Sequence, residues 1–412
     1  MTAPALAGAA FWERHGLRRL LDVLNADGET ARVVGGAVRN TLLNRPVTDV
    51  DIATTALPQE VSRRAQAAGL KPVPTGIDHG TVTVVVDHAA YEVTTLREDM
   101  ETDGRRAVVR FGRSWAHDAA RRDFTINALY ADADGRVIDL VGGLADLRAR
   151  RVRFIGAAEA RIAEDYLRIL RLFRFHAAYG AGPVDPTALS AVIRGRAGLA
   201  GLSRERVRAE LLKLLVAEGA AETLRVMSDT GLLQPLLAGI ADLAAFDHLV
   251  AEEATAHVAP EAMRRLAALA LWTGDSVMRL RERLRLSNGE TRHLEALAAA
   301  QPPVPQARAP ERDLRAFLYR AGVETARDRA LLSAARDPQR RGETARLLAM
   351  AQSWTSPRLP VTAADLMARG LRPGRALGQA LARVEAAWIA ADFPLDADSC
   401  AALVTQVLAS GD

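Results

Sequence analysis

The stretch R-V-V-G-G-A-V-R-N-T-L-L-N-R-P-V-T-D-V-D-I-A-T-T, residues 32–55, decides how the rest of the chain is read. Arg32 to Val34 read as a short buried strand, and Gly35-Gly36 turn it into a helix carrying Val38, Leu42 and Leu43. A second strand then presents Asp49 and Asp51, whose i, i+2 spacing puts both carboxylates on one face. Two like charges held that close repel, and a cation between them relieves the repulsion. Oxygen-only ligands favour a hard ion such as Mg2+, which commonly shares its shell with substrate phosphates. The Gly35-Gly36 turn offers free backbone N–H groups and the positive end of a helix dipole, a cradle for phosphate. Arg39, about one helical turn further on, can add a charged fork to the same phosphates. Cradle, carboxylates and guanidinium fall within seventeen residues, Gly35 to Asp51, and together read as nucleotidyl transfer.

Bulk properties narrow the setting. At 412 residues the chain should hold more than one packed unit, and 49% apolar with 25% charged residues is an ordinary globular balance. No apolar run reaches the length that spans a bilayer, and the N-terminus lacks the basic, apolar and small-residue pattern of a secretory signal. A single cysteine, Cys400, excludes an internal disulfide and a cysteine-rich zinc site. These points place the protein in the cytoplasm, with no membrane partner. The formal charge of +4 says little about a polyanionic partner, because Lys71 and Lys213 are the only lysines and the arginine bias can reflect genome composition.

Taken in order, residues 11–27 read as an amphipathic helix with Leu17, Leu20, Leu21 and Leu24 on one face. Pro58 starts a short helix to Ala68, and Lys71–Pro74, Thr81–Asp87 and Tyr91–Leu96 read as strands. Glu92, on the last of these, is either a third carboxylate beside the aspartate pair, binding metal or accepting a proton, or an exposed strand glutamate. The charged segment 97–113 reads as a loop, and 119–130 as a helix with Phe124, Ala128 and Leu129 inward. From about residue 157 the pattern is helical. A first long helix over 163–175 carries Asp165, Arg168, Arg171 and Arg174 at three-residue spacing, a positive stripe that asks for an anion. Residues 219–355 are Ala/Leu/Arg-rich helices without identifiable chemistry. Near the end, Gly370 and Pro373-Gly374 precede a helix flanked by Arg372 and Arg375, which suits either a phosphate backbone or a capped helix–turn–helix.

These motifs resemble those of the class II nucleotidyltransferase superfamily, which holds the tRNA CCA-adding enzymes and the bacterial poly(A) polymerases. G-G-A-V-R-N (35–40) followed by D-V-D (49–51) is similar to the family's G-G-x-V-R-D and D-x-D, with Asn40 in place of Asp. E-V-T-T-L-R (92–97) resembles the E-V-T-T-F-R strand, and R-R-D-F-T-I-N-A (121–128) matches letter for letter. I-D-L-V-G-G-L-A-D-L (138–147) carries Leu140, and E-D-Y-L-R-I-L-R (164–171) carries Tyr166, each where the family has Pro. E-R-V-R-A-E (205–210) resembles a helix considered structural in the family.

The resemblance implies an α+β fold. A polymerase-β-type head with a mixed sheet would occupy 1–150, followed by an all-α neck at 151–220, body at 221–355 and tail at 356–412. It implies CTP- and ATP-dependent addition of CCA to tRNA 3′ ends, with two Mg2+ ions on Asp49 and Asp51 and with Glu92 in the active site. It assigns Gly35, Gly36, Arg39 and Arg122 to phosphate and Asp123 to the ribose hydroxyls. Glu164, Asp165 and Arg168 belong to the base-reading helix, and Arg171 and Arg174 to the triphosphate. Cytosine and adenine both offer an amino donor beside a ring-nitrogen acceptor, which Asp165 and Arg168 would match; uracil and guanine have the opposite polarity. The 97–113 loop resembles one associated with the switch to adding A, and Arg372 and Arg375 would touch RNA. The rival readings are a poly(A) polymerase, an enzyme adding only CC or only A, and a catalytically inactive RNA-binding module.

Overall fold

Strand β1, Ala31–Val34, is buried at three of its four positions and anchors the head. In the computed structural model, which describes residues 6–13, 15–98, 110–306, 308–340 and 344–409, β1 lies within a seven-stranded mixed sheet. One neighbour is β2 (Asp51–Thr54), antiparallel, with Val34 opposite Asp51. Next come β3 (Lys71–Gly76), β4 (Thr81–Val86) and β5 (Ala89–Thr95) in the chain, and β5 lies parallel to β2 with Glu92 opposite Asp51. On the far side of β1 are β6 (Leu129–Ala131) and β7 (Val137–Asp139), which gives the order β3-β4-β5-β2-β1-β6-β7.

The T-V-T-V-V-V strand is paired on both sides, and Val82, Val84 and Val86 are buried while the alternate residues are half-exposed. Helix α1 (His15–Leu24) packs near β4 with Leu17, Leu20, Leu21 and Leu24 buried. It is shorter than the 11–27 expected, because residues 11–13 form turns. Between β1 and β2 runs α2 (Gly36–Leu42), and α3 (Pro58–Ala67) starts with its proline at the first helical turn, where no N–H is needed.

The expected helix over 119–130 is not formed. Helix α4 spans Trp115–Ala120, a 3-10 turn covers Thr125–Asn127, and Leu129–Ala131 is β6. The exposed edge of β1 decides this. Leu129 accepts the Gly35 N–H at 2.9 Å, and Val33 and Val34 pair with Ala131 and Tyr130, so ladder bonding outweighs a helical spacing of apolar residues. Phe124, Ala128 and Leu129 are buried all the same. The next turn holds Asp139, which accepts the backbone N–H groups of Val141, Gly142, Gly143 and Leu144, and then α5 (Gly143–Arg148) begins. A Cβ on Gly143 would come within 2.2 Å of the Thr125 carbonyl oxygen, so only glycine fits there.

Helix 163–175 is also two helices. Asp165 is extended (φ −156°, ψ 106°) and separates α6 (Ala158–Glu164) from α7 (Leu167–Tyr179). Its carboxylate accepts the Leu167 N–H at 3.0 Å, so the acid caps the second helix instead of lying within one. Of the charged loop 97–113, residues 99–109 lie outside the described residues; Arg97–Glu98 and Arg110–Phe111 pair as a short antiparallel ribbon.

The chain divides into two compact units, Met1–Arg206 with Ala217–Thr223, and Val207–Val216 with Leu224–Asp412. The second is helical throughout its described residues. Leu314, Phe317, Leu318, Ala326, Ala330 and Leu347 form one of its cores. In another, Trp388 meets Phe393 edge-on at 4.9 Å and Tyr319 at 5.6 Å. Its last two helices, Arg375–Ala390 and Ala397–Ala409, pack through Ala380, Val384, Val404 and Val407.

Candidate active site

A recess of about 500 Å³ opens within the first unit. Its floor is the Gly35-Gly36 turn, and Gly35 takes φ +72°, a conformation open to glycine. Six arginines (39, 121, 122, 168, 171 and 206) face three aspartates (51, 123 and 165) across it, so the recess carries excess positive charge. Such a lining suits a polyanion.

The acidic side sits where β2 and β5 run parallel. Residues in register on neighbouring strands project to the same face, so Glu92 stands beside Asp51. Asp49 is not in the strand as expected: β2 begins at Asp51, and Asp49 lies in the preceding irregular segment, accepting the Thr48 hydroxyl at 3.0 Å. Its charge still reaches Asp51. Enclosure by the surrounding protein, then Glu92 and finally Asp49 raise the Asp51 carboxyl above its ordinary value, against the pull of Arg122. Asp51 and Glu92 in register, with the charge of Asp49 acting on Asp51, offer carboxylate oxygens alone, the donor chemistry that suits a hard cation such as Mg2+.

Each cationic side chain has a partner that orients it. Arg39 is buried; its Nε and Nη2 donate to Asn40 Oδ1 at 3.2 and 3.0 Å, and Nη2 also donates to the Tyr179 hydroxyl at 2.8 Å. Asn127 takes Nη1, and the guanidinium lies 4.0 Å from the centre of the Tyr179 ring. The expected phosphate fork is therefore largely engaged by protein, as is the Gly35 N–H through Leu129, which leaves the cradle to the N–H groups that open α2. Burial lowers the Arg39 guanidinium from its ordinary value, and Tyr179 opposes the shift.

Arg122 donates to Asp118 Oδ2 at 3.1 and 3.0 Å and to the Tyr130 hydroxyl at 3.2 Å, and Arg121 pairs with the other oxygen of Asp118. Burial alone would raise the Asp118 carboxyl, but Arg122 and Arg121 hold it below the usual range. Asp123 is buried and receives Arg171 Nε at 2.7 Å. Arg206 meets Asp165 at 2.6 Å, while Arg168 pairs with Glu164 and donates to the Arg161 carbonyl at 3.0 Å. Asp165 and Arg168, expected to act on one base, both line the recess but are held by separate partners.

The structure thus brings Gly35, Gly36, Arg39, Asp51, Arg122, Asp123, Asp165, Arg168 and Arg171 to one recess, with Asp49 and Glu92 beside Asp51. Glu164 and Arg174 are not among the lining residues; Glu164 supports Arg168, and Arg174 packs 4.0 Å over the Phe175 ring. Arg372 and Arg375 belong to the second unit, exposed around the start of helix Arg375–Ala390. Sequence reading passes over Asp118, Asn127, Tyr179 and Arg206 as recess-shaping groups. Only Asp118 leaves a local signal, three and four residues before the arginines it orients.

Comparison with known proteins gives this arrangement a lineage. Residues 31–153 match the Poly A polymerase head domain, and 183–243 match a family described as the probable RNA and SrmB-binding site of polymerase A. The mitochondrial CCA tRNA nucleotidyltransferase 1 of Danio rerio is 34% identical over 95% of this chain and 90% of its own length. The CCA-adding enzyme of Levilactobacillus brevis is also 34% identical, covering 94% of this chain and 97% of its own. Among solved structures, the Bacillus stearothermophilus CCA-adding enzyme in complex with CTP superposes with a TM-score of 0.73 at 30% identity, covering 96% of this chain and 97% of that one. With relatives this similar over nearly its whole length, the chain belongs to the family of CCA-adding tRNA nucleotidyltransferases.

Proposed function

We propose that this enzyme adds CCA to tRNA 3′ ends without a nucleic-acid template, using CTP and ATP and releasing pyrophosphate. The observation that carries the reading is the Asp51–Glu92 register on parallel strands, set against an arginine-lined recess with a glycine turn at its floor. Gly36, at the start of α2, would receive a phosphate oxygen on its N–H group, and Gly35, whose own N–H is held by Leu129, would shape the turn, while Arg122, Arg171 and Arg174 supply counter-charge to the triphosphate, Arg174 from outside the lining. Arg39 would hold the shape of the cradle through Asn127 and Tyr179. Asp165 would accept from the exocyclic amino group of cytosine or adenine and Arg168 donate to the ring nitrogen, with Glu164 supporting Arg168. Uracil and guanine would leave both groups unpaired and be rejected.

Asp49 and Asp51, with Glu92 beside them, would hold two Mg2+ ions, which when bound stabilise charge on the attacking and leaving oxygens. Glu92 is also placed to accept the proton of the attacking tRNA hydroxyl. We take the head as 1–150, the neck as 151–220, the body as 221–355 and the tail as 356–412, with Arg372 and Arg375 contacting the RNA backbone. No helix among the described residues is long and apolar enough to cross a membrane. We place the protein in the cytoplasm, a reducing compartment that suits its lone cysteine.

The test supplies tRNAs ending before CCA, after C and after CC with each nucleoside triphosphate separately. The reading requires C, C and A to be added in turn and extension to stop there. The match to a poly(A) polymerase head supports one other reading, in which unrelated RNA acquires a long adenylate tail without CTP. Long tails in the same assay would overturn CCA addition.

A further inference from the structure

Tyr166 stands between two residues that line the recess, Asp165 and Leu167, and is not itself among them. Its ring lies on the 3-10 turn Arg196–Gly201, which follows helix α8 (Pro186–Gly195). A Cβ added to Gly198 would collide with three carbons of that ring. Gly198 does not take a positive φ, so the close approach of the ring, and not backbone freedom, is what calls for glycine there. At 36% exposure Tyr166 is not a core side chain, so holding the core together does not account for the contact. What it does hold is the break between α6 and α7, where Asp165 is extended.

The same stretch of chain holds Asp165 a second time. Just past the 3-10 turn, α9 (Arg204–Leu215) brings Arg206 to Asp165 Oδ2 at 2.6 Å, while Oδ1 accepts the Leu167 N–H. That ion pair is open to water, with the Arg206 side chain 50% exposed, and exposed pairs hold geometry weakly. A ring seated on backbone holds it better, because only two side-chain torsions need fixing. We propose that Tyr166 is a positioning residue for base choice: seated on Gly198, its ring fixes the Asp165 backbone so that the carboxylate meets the exocyclic amino group of cytosine or adenine. This rests on the reading of Asp165 as a base reader. The backbone at 166 would also accept proline. Its φ of −60° is the value a proline ring imposes, and the residue before it is extended, as proline requires. As the N-cap of α7, residue 166 gives no N–H to the helix. Proline there would stiffen the same break without a ring.

The assay is single-nucleotide addition by the whole protein, with Mg2+, to tRNA lacking CCA, read as kcat/KM for CTP and for UTP. In Tyr166→Ala the CTP value should fall about 10-fold, the scale of one misplaced charged hydrogen bond. The UTP value should not fall, because uracil does not make that bond. Tyr166→Phe and Tyr166→Pro should both keep the native CTP-to-UTP ratio. Gly198→Ala, whose Cβ displaces the ring, should behave like Tyr166→Ala in the native background. Combined with Tyr166→Pro it should be harmless, since no ring is left to displace. That pair decides the matter even where Tyr166→Ala does not fold by circular dichroism. A lowered thermal midpoint with a native CTP-to-UTP ratio in Tyr166→Ala and Gly198→Ala would overturn the proposal and leave the ring as packing. Damage from Gly198→Ala that Tyr166→Pro does not relieve would overturn it as well. Asp165→Asn separates the premise. A native ratio in that variant would take base reading from Asp165, and the proposal with it, whereas a collapsed ratio there beside a native one in Tyr166→Ala would remove the proposal alone.

Discussion

Asp51 is held ionised at neutral pH at a cost to the folded protein, a cost that a cation bound there would offset. Enclosure, Glu92 and Asp49 push its carboxyl up from 3.8, so between that value and the raised one the folded state keeps a proton the unfolded chain has released. Stability contributed by this group therefore falls as pH rises across the window, and the penalty is complete above it. Asp51→Asn should accordingly raise the thermal midpoint of the Mg2+-free protein at neutral pH. Added Mg2+ should stabilise the native protein more than this variant. Nucleotide addition should drop by at least on the order of 10²-fold in Asp51→Asn, the scale of losing one preorganised electrostatic partner at a reacting centre. Substantial Mg2+-dependent activity in the variant would take the metal away from Asp51. Arg168 makes a different kind of contribution, because its loss should change choice as well as rate. If Arg168 is the donor to the ring nitrogen, Arg168→Ala removes it, and the advantage of CTP and ATP over UTP and GTP should shrink about 10- to 100-fold. Unchanged base preference in competition assays would move base reading to another group.

Among the elements of the second unit, three helices meet on a buried ionic cluster. Arg264, fully buried on helix Ala262–Ala270, donates to Glu253 on Leu243–Thr255 at 2.8 Å and to Asp328 on Val323–Arg336 at 2.7 Å. Glu261, His293 and Asp328 bring possible metal-ligand atoms within 4.8 Å of one another, but Arg264 already supplies the cation that Asp328 needs. Removing one member of a buried pair leaves its partner uncompensated. Arg264→Ala should cost about 3–5 kcal/mol in urea unfolding, and a loss under about 1 kcal/mol would show that the cluster is not closed to water. His293 adds a pH dependence. Its hydrogen bond to Asp328, against the cost of burial, raises its pKa from 6.5, aided by the Glu261 charge and opposed by Arg264. That contribution is fully present below 6.5 and is lost as pH rises through the raised value, so His293→Gln should flatten stability in that window.

Helices and strands such as these are legible in the sequence where one local rule governs them. The Gly35-Gly36 turn and the Pro58 start are of that kind, as is the paired β4 run. The 119–130 and 163–175 segments read as continuous helices because their apolar spacing is helical, yet an unpaired strand edge and a capping carboxylate override it. The recess-shaping partners are hidden for a related reason. Tyr179 meets Arg39 from 140 residues away and Arg206 meets Asp165 from 41, distances at which sequence spacing carries no signal.

For the whole molecule, the decisive question is how retention of a large polyanion is divided from the chemistry. The recess belongs to one compact unit and Arg372 and Arg375 to the other, so substitutions in the two should fail differently. Both tail arginines are exposed around the start of a sixteen-residue helix, next to Gly374. If they contact the RNA backbone, each releases about one counterion on binding, and the slope of log affinity against log salt falls by roughly 1 per contact removed. Arg372→Ala/Arg375→Ala should therefore weaken tRNA binding at low salt and flatten the salt dependence by about 2, with no preference among tRNA sequences. CTP affinity, thermal midpoint and the order of C, C and A should stay as in the native protein, because none of the recess residues is touched. Filter-binding measurements on tRNA lacking CCA, repeated from low to high salt, read the slope directly. An unchanged slope would leave the helix at Arg375 as a capped helix–turn–helix, whereas a flattened slope joined to lost CTP affinity would mean that the substitutions had disturbed more than a surface contact.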